Sequence, residues 1–151
     1  MSTAGRGILS ATDIEDLRMD NLTEDQIQAF LAEGGRDVLV ATVNSSGQPH
    51  LVPVWYELDA GEIVFMTGVS TVKGRNLRAN PRIAVCVSKP DDPITFVSMQ
   101  GMAEEVTGVE EKRRLVSLVM GKYGNPNPPE GDLDDTIVVR VKSAKTVAIR
   151  Y

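Results

Sequence analysis

Short apolar stretches separated by turn residues make up most of this sequence. Apolar positions at strand spacing predict six or seven β-strands, over residues 38–43, 51–58, 63–66, 83–87, 94–106, 137–142 and 147–151. Most of these segments follow one another directly, whereas parallel strands need long crossover connections. The pattern therefore predicts an antiparallel sheet. Gly101, inside the long strand, predicts a bulge or the close approach of another group.

Three segments show helical spacing instead. Thr23 and Gln26 form a potential capping box ahead of the first helix, and a glycine pair ends it. The second helix, over 70–79, starts at hydroxyl side chains. The third, over 109–123, has one apolar face, formed by Val109, Val116, Val119, Met120 and Tyr123. The whole pattern predicts a mainly β fold with short helices, a small antiparallel β-barrel.

Length and composition set limits on the class of protein. The 151 residues suit one domain, and we expect an N-terminal arm over 1–20 followed by the barrel domain over 21–151. The net charge of -5 argues against general nucleic-acid binding. No apolar run approaches the roughly 20 residues that cross a bilayer, and the N-terminus lacks the apolar stretch of a secretory signal. The expectation is a cytoplasmic protein without nucleic-acid or membrane partners.

The residue types that usually carry catalysis are scarce. Cys86 is the only cysteine and His50 the only histidine, which leaves no internal disulfide and argues against a metal centre. We expect Cys86 to be a small core residue and His50 to be a partly exposed strand residue. Motifs of nucleophilic or metal-dependent hydrolases do not occur. The sequence therefore predicts no catalytic side chain and no metal ligand.

The segment 65–81 has the chemistry of an anion site. A strand ends there at hydroxyls, a glycine and closely spaced cations, and four of the sixteen basic residues fall within ten positions. Its candidate phosphate-binding side chains are Ser70, Thr71, Lys73, Arg75 and Asn76. A solvated, positively charged helix face is the alternative interpretation.

The strand segment 51–56 is apolar or aromatic on both faces. An antiparallel sheet with one wet face needs apolar residues only at alternate positions, so something is expected to cover the second face. A flat ligand, another subunit or a helix would each do so.

Together these features resemble the flavin-binding split β-barrel superfamily, which includes the pyridoxamine phosphate oxidases. The resemblance covers about residues 28–151, and its most specific part is the run Phe-Met-Thr-Gly-Val-Ser-Thr-Val-Lys-Gly-Arg-Asn-Leu-Arg-Ala-Asn-Pro. It implies a six- to seven-stranded antiparallel split barrel that forms a homodimer, with cofactor grooves shared by two subunits.

The resemblance also implies roles for individual residues. The strand lining the cofactor ring would be Pro53, Val54 and Trp55, and a second strand would reach the ring at Met66 and Thr67. The phosphate would bind at Ser70, Thr71 and Lys73, with support from Arg75 and Asn76. Gln100 would contribute a polar contact across the dimer.

Two departures from the oxidase pattern change the expected cofactor. Val72 stands where those oxidases usually have an arginine, and the sequence ends at Tyr151 without their arginine-rich substrate segment. The Ser-Thr-Val-Lys-Gly-Arg-Asn-Leu form is more similar to the branch that uses the deazaflavin coenzyme F420.

The resemblance thus implies an F420-dependent oxidoreductase that transfers a hydride between its reduced cofactor and an electron-poor organic substrate. An FMN-dependent oxidase or reductase is one alternative, and a non-catalytic protein that binds a flavin or tetrapyrrole is another. If a proton must be supplied, the candidates are Tyr56, His50 and a bound water.

Overall fold

The computed structural model describes residues 19–125, 127 and 129–151, so most of the expected arm over 1–20 lies outside the described residues. The described chain forms eight strands: β1 Asp20–Asn21, β2 Val38–Val43, β3 Pro49–Val54, β4 Glu57–Asp59, β5 Glu62–Gly68, β6 Arg82–Lys89, β7 Thr95–Glu105 and β8 Thr136–Arg150. It also forms three helices: α1 Glu24–Ala32, α2 Val72–Ala79 and α3 Val109–Lys122.

All strand pairs are antiparallel, and the sheet order is β3-β2-β6-β7-β8-β5-β4, with β1 beside β8. The sheet curls into a half-barrel, which confirms the predicted split-barrel fold. The capping box of α1 is also confirmed, because the Gln26 amide donates to the Thr23 hydroxyl at 3.2 Å and the Thr23 amide to the Gln26 side chain at 2.9 Å.

The main hydrophobic core lies inside the curled sheet. Alternate residues of each strand point inward there, and α1 adds Phe30 and Leu31. Among the fully buried side chains of this core are Val40, Phe65 and Ile137. Burial of an aliphatic or aromatic side chain contributes about 1.5–3 kcal/mol, so this interior is the main source of stability.

A second core lies on the outer face of β5 and β8. Helix α3 covers Val64 and Val138 with its buried residues Leu115, Val116 and Val119. The predicted apolar face of this helix was wrong at one end, because Val109 in the first turn is exposed. Leu115 takes its place, since it lies next to Val116 and one turn before Val119 on the side that faces the sheet.

The two predicted strands at 137–142 and 147–151 are one strand, β8. The polar residues between them do not form a turn. Instead, the register of β7 and β8 shifts between Gln100 and Gly101, which absorbs the break in the apolar alternation. A Cβ atom on Gly101 would lie 2.0 Å from the Lys142 carbonyl oxygen. Both features predicted for Gly101, a bulge and a close approach, are therefore confirmed.

The predicted strand over 51–58 is interrupted. Strand β3 ends at Val54 and β4 begins at Glu57, so Trp55 and Tyr56 form the break between them. The predicted second helix begins two residues later than expected, at Val72, because Thr71 is its N-cap. No helix in the described part of the chain is both long and apolar enough to cross a membrane.

An ion cluster joins α3 to the sheet around Asp59. Arg114 of α3 donates to both carboxylate oxygens of Asp59 at 3.0 Å, and Arg140 of β8 donates to Oδ2 at 2.9 Å. Glu111 accepts from Arg114 at 2.6 Å on the helix side. The hydrogen bonds from Arg114 and then Arg140 lower the pKa of Asp59 from 3.8 to about 2.

Asp59→Asn is expected to reduce the loss of stability in acid. A depressed carboxyl pKa contributes stability that is fully present above the ordinary value near 4 and is lost as the pH falls through about 2. The wild type should therefore lose more free energy of unfolding than Asp59→Asn between pH 5 and about pH 2.5. Urea denaturation at a series of pH values measures this difference. Asp91→Asn, an exposed aspartate in the loop between β6 and β7 and away from the cluster, is the control. Equal pH slopes for wild type and Asp59→Asn would contradict the assignment.

Candidate anion and ring-binding site

The turn between β5 and α2 is built by two threonine hydroxyls. The Thr71 hydroxyl accepts the Gly74 amide at 3.0 Å as the helix cap and donates to the Gly68 carbonyl at 2.8 Å. The Thr67 hydroxyl oxygen lies 2.7 Å from the Thr71 hydroxyl oxygen. Because Thr71 uses its donor within the turn, it shapes the anion site through the backbone. Its hydroxyl is not free to bind a phosphate.

Helix α2 is held close against the end of β5 and against β2. A Cβ atom on Gly74 would lie 2.4 Å from the Gly68 carbonyl oxygen, so only glycine permits this approach. On the side of α2 that faces the sheet, the buried side-chain amide of Asn76 donates to the Thr42 hydroxyl of β2 at 3.0 Å. Two buried polar groups thus satisfy each other, which fixes the helix on the sheet.

The start of α2 carries positive potential. The first amides of a helix have no partner within it, and here the Thr71 cap satisfies only that of Gly74, so the amides of Val72 and Lys73 point out of the first turn. Helices α1 and α3 have acidic residues in their first turns, whereas α2 has none and places Lys73 there. An anion is the ligand that such a helix start favours.

The two predicted phosphate cations do not lie side by side. Lys73 and Arg75 are two positions apart on a helix, which separates their directions by roughly 200°. Lys73 is half-buried beside the turn, while Arg75 lies on the exposed face together with Val72 and Arg78. Ser70 is exposed in the turn itself. Within the described residues, the cluster that can meet one anion is therefore Ser70, Lys73 and the amides of the first turn.

The outer face of β2 and β3 is apolar and open. Its outward positions are uncharged along both strands, namely Leu39, Ala41, Val43, Pro49, Leu51 and Pro53. Leu51 is 61% exposed and Trp55, which follows the strand, is 47% exposed. The described helices leave this face uncovered, in contrast to the face of β5 and β8 under α3. Of the three alternatives for this face, cover by a helix is not found within the described residues, and a flat ligand or another subunit is favoured.

A cleft of about 470 Å³ lies on the outer face next to this surface, at the bulge of β7 and β8. Gln100 lines it with apolar residues such as Ala84 and Met102, and Arg82 and Lys145 add cationic side chains. Of the predicted site residues, Gln100 alone lines this cleft. The sequence does not predict that Arg82 and Lys145 lie near Gln100. They come together through the pairing register of β6, β7 and β8, which the residues of one strand alone do not determine.

Three predicted site residues point away from any open site. Val54 packs into the interior core, Met66 packs against the α3 cluster, and Asn76 is buried against Thr42. Strand alternation determines the first two, because the residues on either side face the opposite surface. Thr42 was missed as a partner of Asn76. A polar residue at an inward position of an otherwise apolar strand was the available signal.

The structure also narrows the candidates for proton transfer. Tyr56 is fully buried, its hydroxyl donates to the Leu31 carbonyl at 2.7 Å, and burial raises its pKa to about 12. It is therefore unsuited to supply a proton. The His50 Nδ1 atom is buried and lacks a partner among the described residues. Cys86 is half-buried on the outer face rather than in the core, and burial raises the pKa of its thiol.

Comparison with known proteins assigns the family. Residues 23–148 match the pyridoxamine 5'-phosphate oxidase family, and the chain belongs to it. No curated protein matches the sequence significantly.

Among solved structures, a conserved hypothetical protein from Mycobacterium tuberculosis is 28% identical, with 85% of each chain covered and a TM-score of 0.75. An F420 reductase is 25% identical over 77% of this chain and 92% of its own, with a TM-score of 0.64. An FAD-binding protein from Mesorhizobium loti has the same fold at 19% identity, with 89% and 99% covered and a TM-score of 0.71.

Thr71→Val is expected to destabilise the protein by about 0.5–2 kcal/mol, because it removes the helix cap and the partner of Thr67. Thr71→Ser keeps the hydroxyl and should lose much less. Urea denaturation of the two variants beside wild type measures the difference. Equal free energies of unfolding for the valine and serine variants would contradict the capping role.

Proposed function

We propose that this protein is an F420-dependent oxidoreductase of the pyridoxamine 5'-phosphate oxidase family. Family membership supports redox chemistry with a flavin-type cofactor, and the similarity to an F420 reductase favours the deazaflavin. Val72, at the start of α2, supports the same choice because it adds no charge where the oxidases usually have an arginine. FMN is the alternative cofactor of the same site.

The observation that carries the proposal is the helix start at α2. It offers free amides, Lys73 and a neighbouring hydroxyl at Ser70, and no acidic residue lies in its first turn. These groups fit the phosphate of a flavin-type cofactor. The threonine pair and Gly74 shape the turn instead of contacting the ligand.

The residues on the outer face fit an aromatic ring. Pro53 and Trp55 provide flat, apolar surface near the break after β3, and charged side chains do not interrupt it on β2 or β3. When bound, a deazaflavin supplies hydride transfer to or from an electron-poor organic substrate. The protein's part is to orient the ring and phosphate and to keep water from the reacting face. A catalytic side chain is not required for this.

We further propose a homodimer that completes the cofactor groove. The outer faces of β2, β3, β6 and β7 carry apolar residues that a monomer would leave in water, among them Leu39, Leu51 and Met102. Contiguous exposed apolar surface of this kind is typical of an interface. A second copy would cover it and would bring its own Gln100 and cleft to the groove.

Lys73→Ala is expected to weaken cofactor binding by about 1.5–3 kcal/mol, as for other charge-assisted bonds. Arg75→Ala should have a smaller effect because Arg75 lies on the exposed face of the helix. Fluorescence titration with F420 and with FMN, side by side, measures both affinities. Arg78→Ala is the matched control, since Arg78 lies on the same helix and pairs with Glu105 at 2.7 Å.

Unchanged affinity in both Lys73→Ala and Arg75→Ala would overturn the phosphate assignment. Tighter binding of FMN than of F420 would replace the proposed cofactor. Turnover of the reduced cofactor with quinones, enones and tetrapyrroles tests the reaction itself. Tight binding without turnover on any of them would favour the non-catalytic binding protein.

Leu51→Lys is expected to dissociate the dimer, because it places a charge on the apolar outer face. Sedimentation velocity of the wild type and the variant measures the oligomeric state. Leu118→Lys, on the exposed side of α3, is the control and should remain dimeric. A wild type that sediments as a monomer at micromolar concentration would contradict the proposed dimer.

A further inference from the structure

The C-terminal end of α3 contacts the break between β3 and β4. The Tyr123 ring stacks on the Trp55 indole with centroids 4.6 Å apart and planes 4° apart. Its hydroxyl accepts the Tyr56 amide hydrogen at 3.2 Å and donates to the Arg36 carbonyl. Burial raises the pKa of Tyr123, which keeps the hydroxyl protonated for that donation. One side chain thus fixes both the Trp55 ring and the backbone next to it.

Lys122 contacts the same break between β3 and β4. Its side chain is 6% exposed, and its ammonium lies 3.7 Å from the centroid of the Tyr56 ring and 3.8 Å from a Glu57 carboxylate oxygen. The hydroxyl at the far end of Tyr56 is bonded to Leu31. Tyr56 is therefore held at its ring, its hydroxyl and its amide. Because Tyr56 is held in this way, the backbone position of Trp55, the preceding residue, is fixed as well.

Trp55 is held in one orientation while half of it stays open. Tyr123 covers one face of the indole, and the side chain remains 47% exposed. A free surface tryptophan would lose rotamer freedom when a ligand stacked on it, at a cost in affinity. Here the contact with Tyr123 has already restricted the ring, so a flat ligand meets a preformed surface.

We infer that Tyr123 is a positioning residue, which holds Trp55 as a preformed flat surface for the aromatic ring of the cofactor. This inference rests on the proposed function. Immobilising a mobile side chain on binding costs about 0.5–1.5 kcal/mol, which corresponds to about a two- to tenfold change in a dissociation constant. The effect acts through Trp55 and needs no contact between Tyr123 and the ligand.

The test compares Tyr123→Leu, which removes the stacked ring, with Tyr123→Phe, which keeps it. Trp55 is the only tryptophan, so the fluorescence of the protein reports on this one side chain. Tyr123→Leu should lower the fluorescence anisotropy of Trp55 in the free protein and raise the F420 dissociation constant about two- to tenfold. It should also shift the absorption band of bound F420, which a loss of stability alone would not do. Tyr123→Phe should preserve all three.

Leu118→Ala, an exposed position on the same helix, is the control for general effects on α3, and all assays are run well below each variant's melting temperature. Wild-type anisotropy and affinity in Tyr123→Leu would overturn the inference, and so would equal losses in the leucine and phenylalanine variants. If Lys73→Ala binds F420 more weakly but Tyr123→Leu binds it as tightly as wild type, only this inference is overturned and the proposed function stands. A wild type that binds neither F420 nor FMN would overturn the proposed function, and the inference with it.

Discussion

The close packing of α2 against the end of β5 is the constraint on which the candidate site depends. Gly74 passes the Gly68 carbonyl at a distance that no side chain allows. The buried bond between Asn76 and Thr42 holds the other side of the helix on β2. Together they fix where the first turn of α2 ends and where its amides point. The proposed anion site at Lys73 therefore depends on this packing, which keeps the turn in place.

Apolar residues occur on two parts of the outer face of the sheet, and for two different reasons. The outer residues of β5 and β8 are apolar because α3 covers them. Those of β2 and β3 are just as apolar, but the described chain provides no cover. Covered apolar surface stabilises the fold, whereas open apolar surface costs solubility unless something else binds it. The contrast within one molecule makes the open face the place where a ligand and a second copy are expected.

Local signals in the sequence predicted most elements but not their contacts. The capping box at Thr23, the strand over 38–43 and the irregularity at Gly101 depend on neighbouring residues, and each was predicted correctly. The seven predicted segments match β2–β8 in number through two opposite errors, since 51–58 divides at Trp55 while β8 continues through its bulge, and the short β1 was not predicted. Both errors arise where tertiary contacts override the local apolar pattern. These contacts are the packing of α3 against Trp55 and the close approach at Gly101.

The candidate site divides in the same way. The hydroxyls and cations of the 65–81 segment predict an anion site, because such a turn is local in sequence, and the structure has a capped helix start there. Whether Asn76 faces a phosphate or Thr42 depends on which side of α2 meets the sheet, and no local signal decides that. The directions of the Val54 and Met66 side chains are hidden from the sequence for a similar reason, since one residue of strand register exchanges inner and outer positions.

Helix α3 connects stability to the proposed function. Its middle covers the second core through Leu115 and Val119, and its last turn holds Trp55 through Tyr123. The ion cluster at Asp59 ties its first half to β8 through Arg114 and Arg140. A shift of this helix would therefore disturb the second core and the orientation of Trp55 together. The orientation of the surface proposed for a flat ring thus depends on the packing of a helix on the outer face of β5 and β8.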